Sequence, residues 1–137
     1  MMLQIVICID DDPIALLLSK LVISKANFAS QIITLQNGQE AIEYLEKDET
    51  RADNKNSGQT LLILLDLNMP VMDGWEFLEQ FSQKLYDEYK DAKIILLSSS
   101  IDPNDIRKSK NFEMVMDFFP KPLTKEILQE ILEKIKV

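Results

Sequence analysis

At 137 residues, 46% hydrophobic and 28% charged, the chain has the size and balance of one globular domain with a substantial core. A net charge of −8 argues against non-specific nucleic-acid binding, and the lack of histidine excludes chemistry that needs an internal imidazole. No apolar run is long enough to span a bilayer, the N-terminus does not read as a signal peptide, and one cysteine cannot make an internal disulfide, so cytoplasm is the expected compartment.

In chain order, Leu3 to Ile9 is a β-rich apolar run that ends in Asp10, Asp11 and Asp12. Cys8 lies inside it and reads as a buried, inert thiol. Pro13 suits the first turn of a helix capped by Asp12. Ile14, Leu17, Leu18, Leu21 and Val22 then recur at helical spacing. Leu16 and Ile23 widen that apolar face beyond what one sheet contact needs; a broad core face is expected, with a partner surface as the alternative. Gln31 to Leu35 predicts a second strand. Asn37 and Glu40 form a capping-box pattern, and Ala41, Ile42, Tyr44 and Leu45 give the following helix its buried side. Residues 48–59 hold no large apolar side chain and predict a solvated loop, longer than most connections.

Leu61 to Leu65 runs unbroken into Asp66, and the chain then turns through Asn68, Pro70 and Gly74. Such a run suits a strand buried on both faces, which would carry Asp66 to the edge of a sheet. Asp also opens turns readily, so this stretch alone leaves a purely structural role open. Trp75, Leu78, Phe81, Leu85 and Tyr89 mark one helical stripe, read as core. Ile94 to Leu97 is a fourth strand, ending in Ser98, Ser99 and Ser100. Asp102 and Pro103 open a short polar helix through Lys110. Val115 to Phe119 is a fifth strand, followed by Pro120, Lys121 and Pro122. Thr124 caps a last helix with a stripe of Ile127, Leu128, Ile131, Leu132 and Ile135.

The order β-α repeats five times, which predicts an α/β domain over residues 1–137: a five-stranded parallel sheet with right-handed crossovers and helices on both faces. All strand carboxyl ends then open on one edge, the usual place for a site in this class of sheet. The polar residues at those ends are Asp10, Asp11, Asp66, Ser98 and Lys121. Two like charges ~4 Å apart repel by ~4 kcal/mol at an effective dielectric near 20, so clustered carboxylates either raise a pKa or recruit a cation. Oxygen ligands without His or Cys favour a hard ion, Mg²⁺ above all. Lys121 can hold a phosphoryl oxygen, Ser98 can hydrogen-bond another, and Asp66 is the candidate nucleophile of aspartyl-phosphate chemistry.

These residues resemble the receiver domain of two-component response regulators. The likeness is carried by IDDDP after the first strand, LDLNMPVMDG around Asp66, LLSSS after the fourth strand and FFPKPL after the fifth, and it covers essentially the whole chain. It implies a flavodoxin-like doubly wound (βα)5 fold of the stand-alone type. It also implies a phosphorelay role in which Asp66 takes a phosphoryl group from a phosphohistidine of a sensor histidine kinase or phosphotransfer protein. Carried over, Asp11 and Asp66 hold Mg²⁺ through side chains, Asn68 through its backbone carbonyl and Asp10 through water, while Lys121 bridges the phosphoryl group and the acids. The Lys121–Pro122 bond is a cis candidate. Asp12 falls outside the family's acidic pair and is expected to act as a cap. The family's switch couples a hydroxyl, here Ser98, to a ring, here Phe118, and so biases a surface that binds a downstream protein. Ser98 stands where threonine is commoner and Phe118 where tyrosine is frequent, which leaves a hydrogen-bonded ring switch unavailable. Asn68 and Ser100 occupy positions that tune phosphoryl loss. No direct nucleic-acid or membrane binding is expected, and the chain is expected to be a monomer or weak homodimer.

Two other classes fit less of the pattern. An Mg²⁺-dependent aspartyl-phosphate phosphatase resembling the haloacid dehalogenases wants a second acid two residues after the nucleophile, where Asn68 stands. A phosphorylation-independent adaptor on the receiver fold would have no need of Asp10, Asp11, Asp66 and Lys121 together. The expectation is therefore a signalling protein that catalyses only its own phosphorylation and dephosphorylation.

Overall fold

A computed structural model describes residues 3–27, 29–47, 61–99 and 101–135. The loop expected at 48–59 and Ser100 lie outside the described residues. Five parallel strands, β1 (Leu3–Ile9), β2 (Ala29–Leu35), β3 (Leu61–Asp66), β4 (Lys93–Ser98) and β5 (Val115–Pro120), form one sheet in the order β2-β1-β3-β4-β5. Between and after them come α1 (Pro13–Ala26), α2 (Gly38–Glu46), α3 (Gly74–Gln80), α4 (Pro103–Ser109) and α5 (Lys125–Ile135). The expected (βα)5 architecture is the one observed.

β3 sits at the centre of the sheet, and every one of its residues is buried. The reason is its pleat. Leu61, Ile63 and Leu65 enter the core beneath α2 and α3, whereas Leu62 and Leu64 enter the core beneath α1 and α5. An uninterrupted aliphatic run is what two apolar layers demand. The strand must then end at a polar residue, and it ends at Asp66.

Local chemistry fixes where the helices start. The side chains of Asp12, Asn37, Asp73 and Asp102 accept from the backbone N–H groups of Ile14, Glu40, Glu76 and Asn104, each at 2.9 Å. Glu40 reaches back one residue further than a capping box requires, accepting from the Gln36 N–H at 3.1 Å, so it ties the chain just before the Asn37 cap. Past Gln80, α3 widens into a π turn over Phe81–Leu85, where the Tyr86 N–H donates to the Phe81 carbonyl at 2.9 Å. Phe81 is buried there and Tyr89 just beyond, and the Tyr89 hydroxyl donates to the Leu45 carbonyl at 2.7 Å, pinning the segment after the π turn to α2.

α1 departs from the sequence expectation. Leu16 and Ile23, taken as the margin of its apolar face, are the residues that enter the core. Ile14, Leu17, Leu18 and Leu21 stand 68%, 57%, 46% and 48% exposed. The helix is apolar on two sides, so spacing alone favours the longer stripe, and the sheet takes the shorter one. Trp75 also lies half-buried at the edge of the core stripe expected of α3.

Candidate functional site

The site forms at the carboxyl edge of the sheet, where β1 and β3 are direct neighbours and end together. Asp10 follows β1, Asp66 ends β3, and both are buried; Asp11 is exposed beside them. Oxygens of the three carboxylates lie within 4.8 Å of one another. From the far side of β4 comes Lys121, whose N–H donates to the Ser98 carbonyl at 2.8 Å and so carries the ladder one residue past β5. Its Nζ reaches Asp10 Oδ2 at 2.7 Å and Asp66 Oδ2 at 3.7 Å. The Lys121–Pro122 peptide bond is cis.

The electrostatics follow from this crowding. Burial pushes the Asp66 carboxyl up, the Asp10 charge pushes it further, and Lys121 with the Asn68 N–H (3.4 Å from Oδ1) pulls only part of the way back, leaving a pKa of about 6. For Lys121, burial disfavours the ammonium, but the Asp10 hydrogen bond and the charges of Asp10, Asp66 and Asp12 outweigh it, so its pKa is raised and it stays charged. Asp12 is thus a cap with a further, electrostatic part in the site. Burial, with the Asp10 charge adding, pushes the Cys8 thiol up to about 12, consistent with an inert core residue.

The donor set fits a hard divalent cation. Three carboxylates converge without histidine or thiolate, two of them are withdrawn from water, and a single ammonium already answers their excess negative charge. A cavity of about 230 Å³ opens beside this cluster between α1 and the segment after β5, lined by Asp10, Ile14, Leu18, Leu97, Lys121 and Pro122. It can admit an oxyanion.

The remaining expected residues fall nearby or apart. Ser98 is buried at the end of β4, two strands from Asp10. Phe118 lies on β5 in register with Leu96 rather than with Ser98, half-buried against the core beneath α2 and α3. Asn68 is exposed just beyond β3. The sequence reading missed Met72 and Gly38. Met72 closes the loop after Asp66 at φ 50°, and its carbonyl accepts from the Gly38 N–H at 3.2 Å, tying that loop to the start of α2. A Cβ on Gly38 would stand 2.6 Å from that carbonyl. The only sequence signal was a glycine directly after a cap.

A doubly wound parallel sheet with a carboxylate–lysine pocket at its carboxyl edge is the class that the fold and the site define. Residues 6–133 match the family described as response regulator receiver domain, and the chain belongs to that family, whose members act in phosphorelay signalling. A two-component response regulator from Cytophaga hutchinsonii is 29% identical, with a TM-score of 0.83 over 98% of each chain. The probable methanogenesis regulatory protein FilR2 of Methanothrix harundinacea is 27% identical over 134 residues, 96% of this chain and 81% of the relative. The probable C4-dicarboxylate response regulator DctR of Halalkalibacterium halodurans is 29% identical over 127 residues, but only 49% of its length is covered. Among the described residues, no helix is long and apolar enough to cross a membrane.

Proposed function

We propose that Asp66 accepts a phosphoryl group from a phosphohistidine of a sensor histidine kinase or phosphotransfer protein, and that the whole chain acts as one cytoplasmic receiver domain. The observation that carries this reading is the Asp66 carboxylate held 3.7 Å from the Lys121 ammonium within a cluster of three acids. Asp66 is 4% exposed and burial raises its carboxyl to about 6, so a bound cation would favour its ionised form and screen it from an incoming anion. Asp11 and Asp66 would hold Mg²⁺ directly, Asp10 through water and Asn68 through its backbone carbonyl. Bound there, Mg²⁺ supplies charge neutralisation for the carboxylates and the transferring oxygens. An Asp66 oxygen attacks phosphorus, the P–N bond to the imidazole breaks, and the departing ring nitrogen keeps the electron pair. Lys121 holds a phosphoryl oxygen, and Ser98 offers a hydrogen bond to another. Attack of water on the same phosphorus would break the bond to Asp66 and release inorganic phosphate, so on this reading the protein catalyses only its own phosphorylation and dephosphorylation.

The exposed face of α1 supports a protein donor. Ile14 and Leu18 line the mouth of the pocket, and Leu17 and Leu21 extend the same apolar strip along the helix. A helical partner lying on that strip would bring its phosphohistidine to Asp66. Movement of Ser98 and Phe118 would then reshape the surface of α4 and β5 for a downstream protein. Intact-mass measurement with acetyl phosphate and Mg²⁺ tests the core of this. One acid-labile phosphoryl increment is expected on the wild type and none on Asp66→Asn; an increment on the variant as well would refute the assignment. Turnover of many small phosphate esters without a stable increment would instead mark a phosphatase.

A further inference from the structure

α3 and α4 meet through a contact that phosphoryl transfer itself does not use. Trp75, the only tryptophan in the sequence, follows Gly74, whose N–H donates to the Leu67 carbonyl at 3.0 Å. Its backbone is therefore tied to the residue next to Asp66. The Lys108 ammonium, on α4, lies over the indole, 4.6 Å from its centroid. Phe112, just beyond α4, stacks on the same ring at 6.2 Å with 28° between the planes. One indole thus holds α4 by a cation and its trailing turn by an aromatic ring.

α4 needs such an anchor more than its neighbours do. It has seven residues, too few to be stable alone, and Ser109 is its only buried one. α3, by contrast, buries Phe77 and Leu78 as well as Gly74. The helix sits at the weakly held end of the fold, where motion is cheapest. Both halves of the contact also hang from strands that bear the site: Trp75 follows β3 and Asp66, and Lys108 follows β4 and Ser98.

We propose that Trp75 is a latch that positions α4 in the arrangement belonging to unphosphorylated Asp66, with Lys108 as the part that lets go when the phosphoryl group draws on Ser98. This rests on the phosphorylation reading above. A cation over an indole at a half-exposed site shifts a two-state equilibrium by about two- to five-fold. By linkage, removing it should tighten binding of a phosphoryl mimic by the same factor.

The test titrates the intact protein with beryllofluoride and Mg²⁺, reading heat and the emission of the single indole. In the wild type the emission should change on saturation, as Lys108 leaves the ring. Lys108→Gln should bind beryllofluoride about two- to five-fold more tightly with a smaller emission change, and Lys108→Arg should restore both wild-type values. A merely structural role for Lys108 would weaken binding or leave it alone, never tighten it. Unchanged or weaker binding by Lys108→Gln, alongside a normal acid-labile mass increment from acetyl phosphate, would overturn the latch alone. Absence of that increment in the wild type would overturn the phosphorylation reading, and the latch with it.

Discussion

Lys121→Ala separates the lysine's two electrostatic duties. At 3.7 Å from Asp66 Oδ2, its charge is worth about 4 kcal/mol at an effective dielectric of 20, or about 3 pK units. The lysine side chain is 19% exposed at the mouth of the pocket, and water there reduces the effect to roughly half. Without it, the Asp66 carboxyl should move from about 6 to roughly 7–8. At pH 7 the wild-type carboxyl carries about 0.1 proton, the variant's more than roughly half a proton. Mg²⁺ must expel that proton, yet it no longer meets a neighbouring ammonium. The variant should therefore bind Mg²⁺ about tenfold more tightly than the wild type at pH 9 and lose that advantage by pH 6. Calorimetric titration at both pH values, in buffers of different ionisation enthalpy, reads affinity and proton release together. Equal proton release by variant and wild type at pH 7 would show that Lys121 does not set the charge of Asp66.

Asp66→Asn should stabilise the metal-free fold at pH 8 by about 2 kcal/mol. The sign follows from a folded-state pKa of about 6 against 3.8 for the ordinary carboxyl: the folded chain holds this proton more tightly, so the Asp66 contribution to stability is full below 3.8 and is lost as pH rises through 6. Thermal melts at pH 4 and pH 8 should show the gain only at pH 8, and a gain at both would remove charge as its cause. Gly38→Ala should cost about 2 kcal/mol, because the new methyl meets the backbone carbonyl of Met72 and not a yielding side chain; an unchanged urea midpoint would mean the loop after Asp66 gives way freely. Leu17→Glu with Leu21→Glu should slow phosphotransfer from a protein donor by tenfold or more while acetyl phosphate labelling and the melting temperature stay put, since both side chains are about half exposed and neither lines the cavity. Equal loss with both donors would place the damage in the pocket and not in docking.

Most of the architecture was legible because the local signals agree with one another. Four aspartate or asparagine caps stand where the helices start, β3 is apolar without a break because both of its faces are covered, and the polar residues after four strands gather on one edge. A parallel sheet guarantees that gathering, so Asp10, Asp66 and Lys121 could be grouped before any distance was known. What stayed hidden depends on long-range choices. The loop from Asn68 to Asp73 meets α2 through the Met72 carbonyl, a backbone contact on which side-chain patterns are silent. In α1, two apolar stripes compete for the sheet, and the shorter prevails with Leu16 and Ile23. The longer stripe does not relax into a polar surface, as it would in a helix whose only duty is to the core. It leaves four large aliphatic side chains in water, and two of them, Ile14 and Leu18, line the cavity that Asp10 and Lys121 also line. A helix that is apolar on both sides can cover the sheet with one stripe and, on the proposed function, meet a donor with the other. The feature that blurred the prediction of burial is the same one on which the proposed donor would dock to reach Asp66.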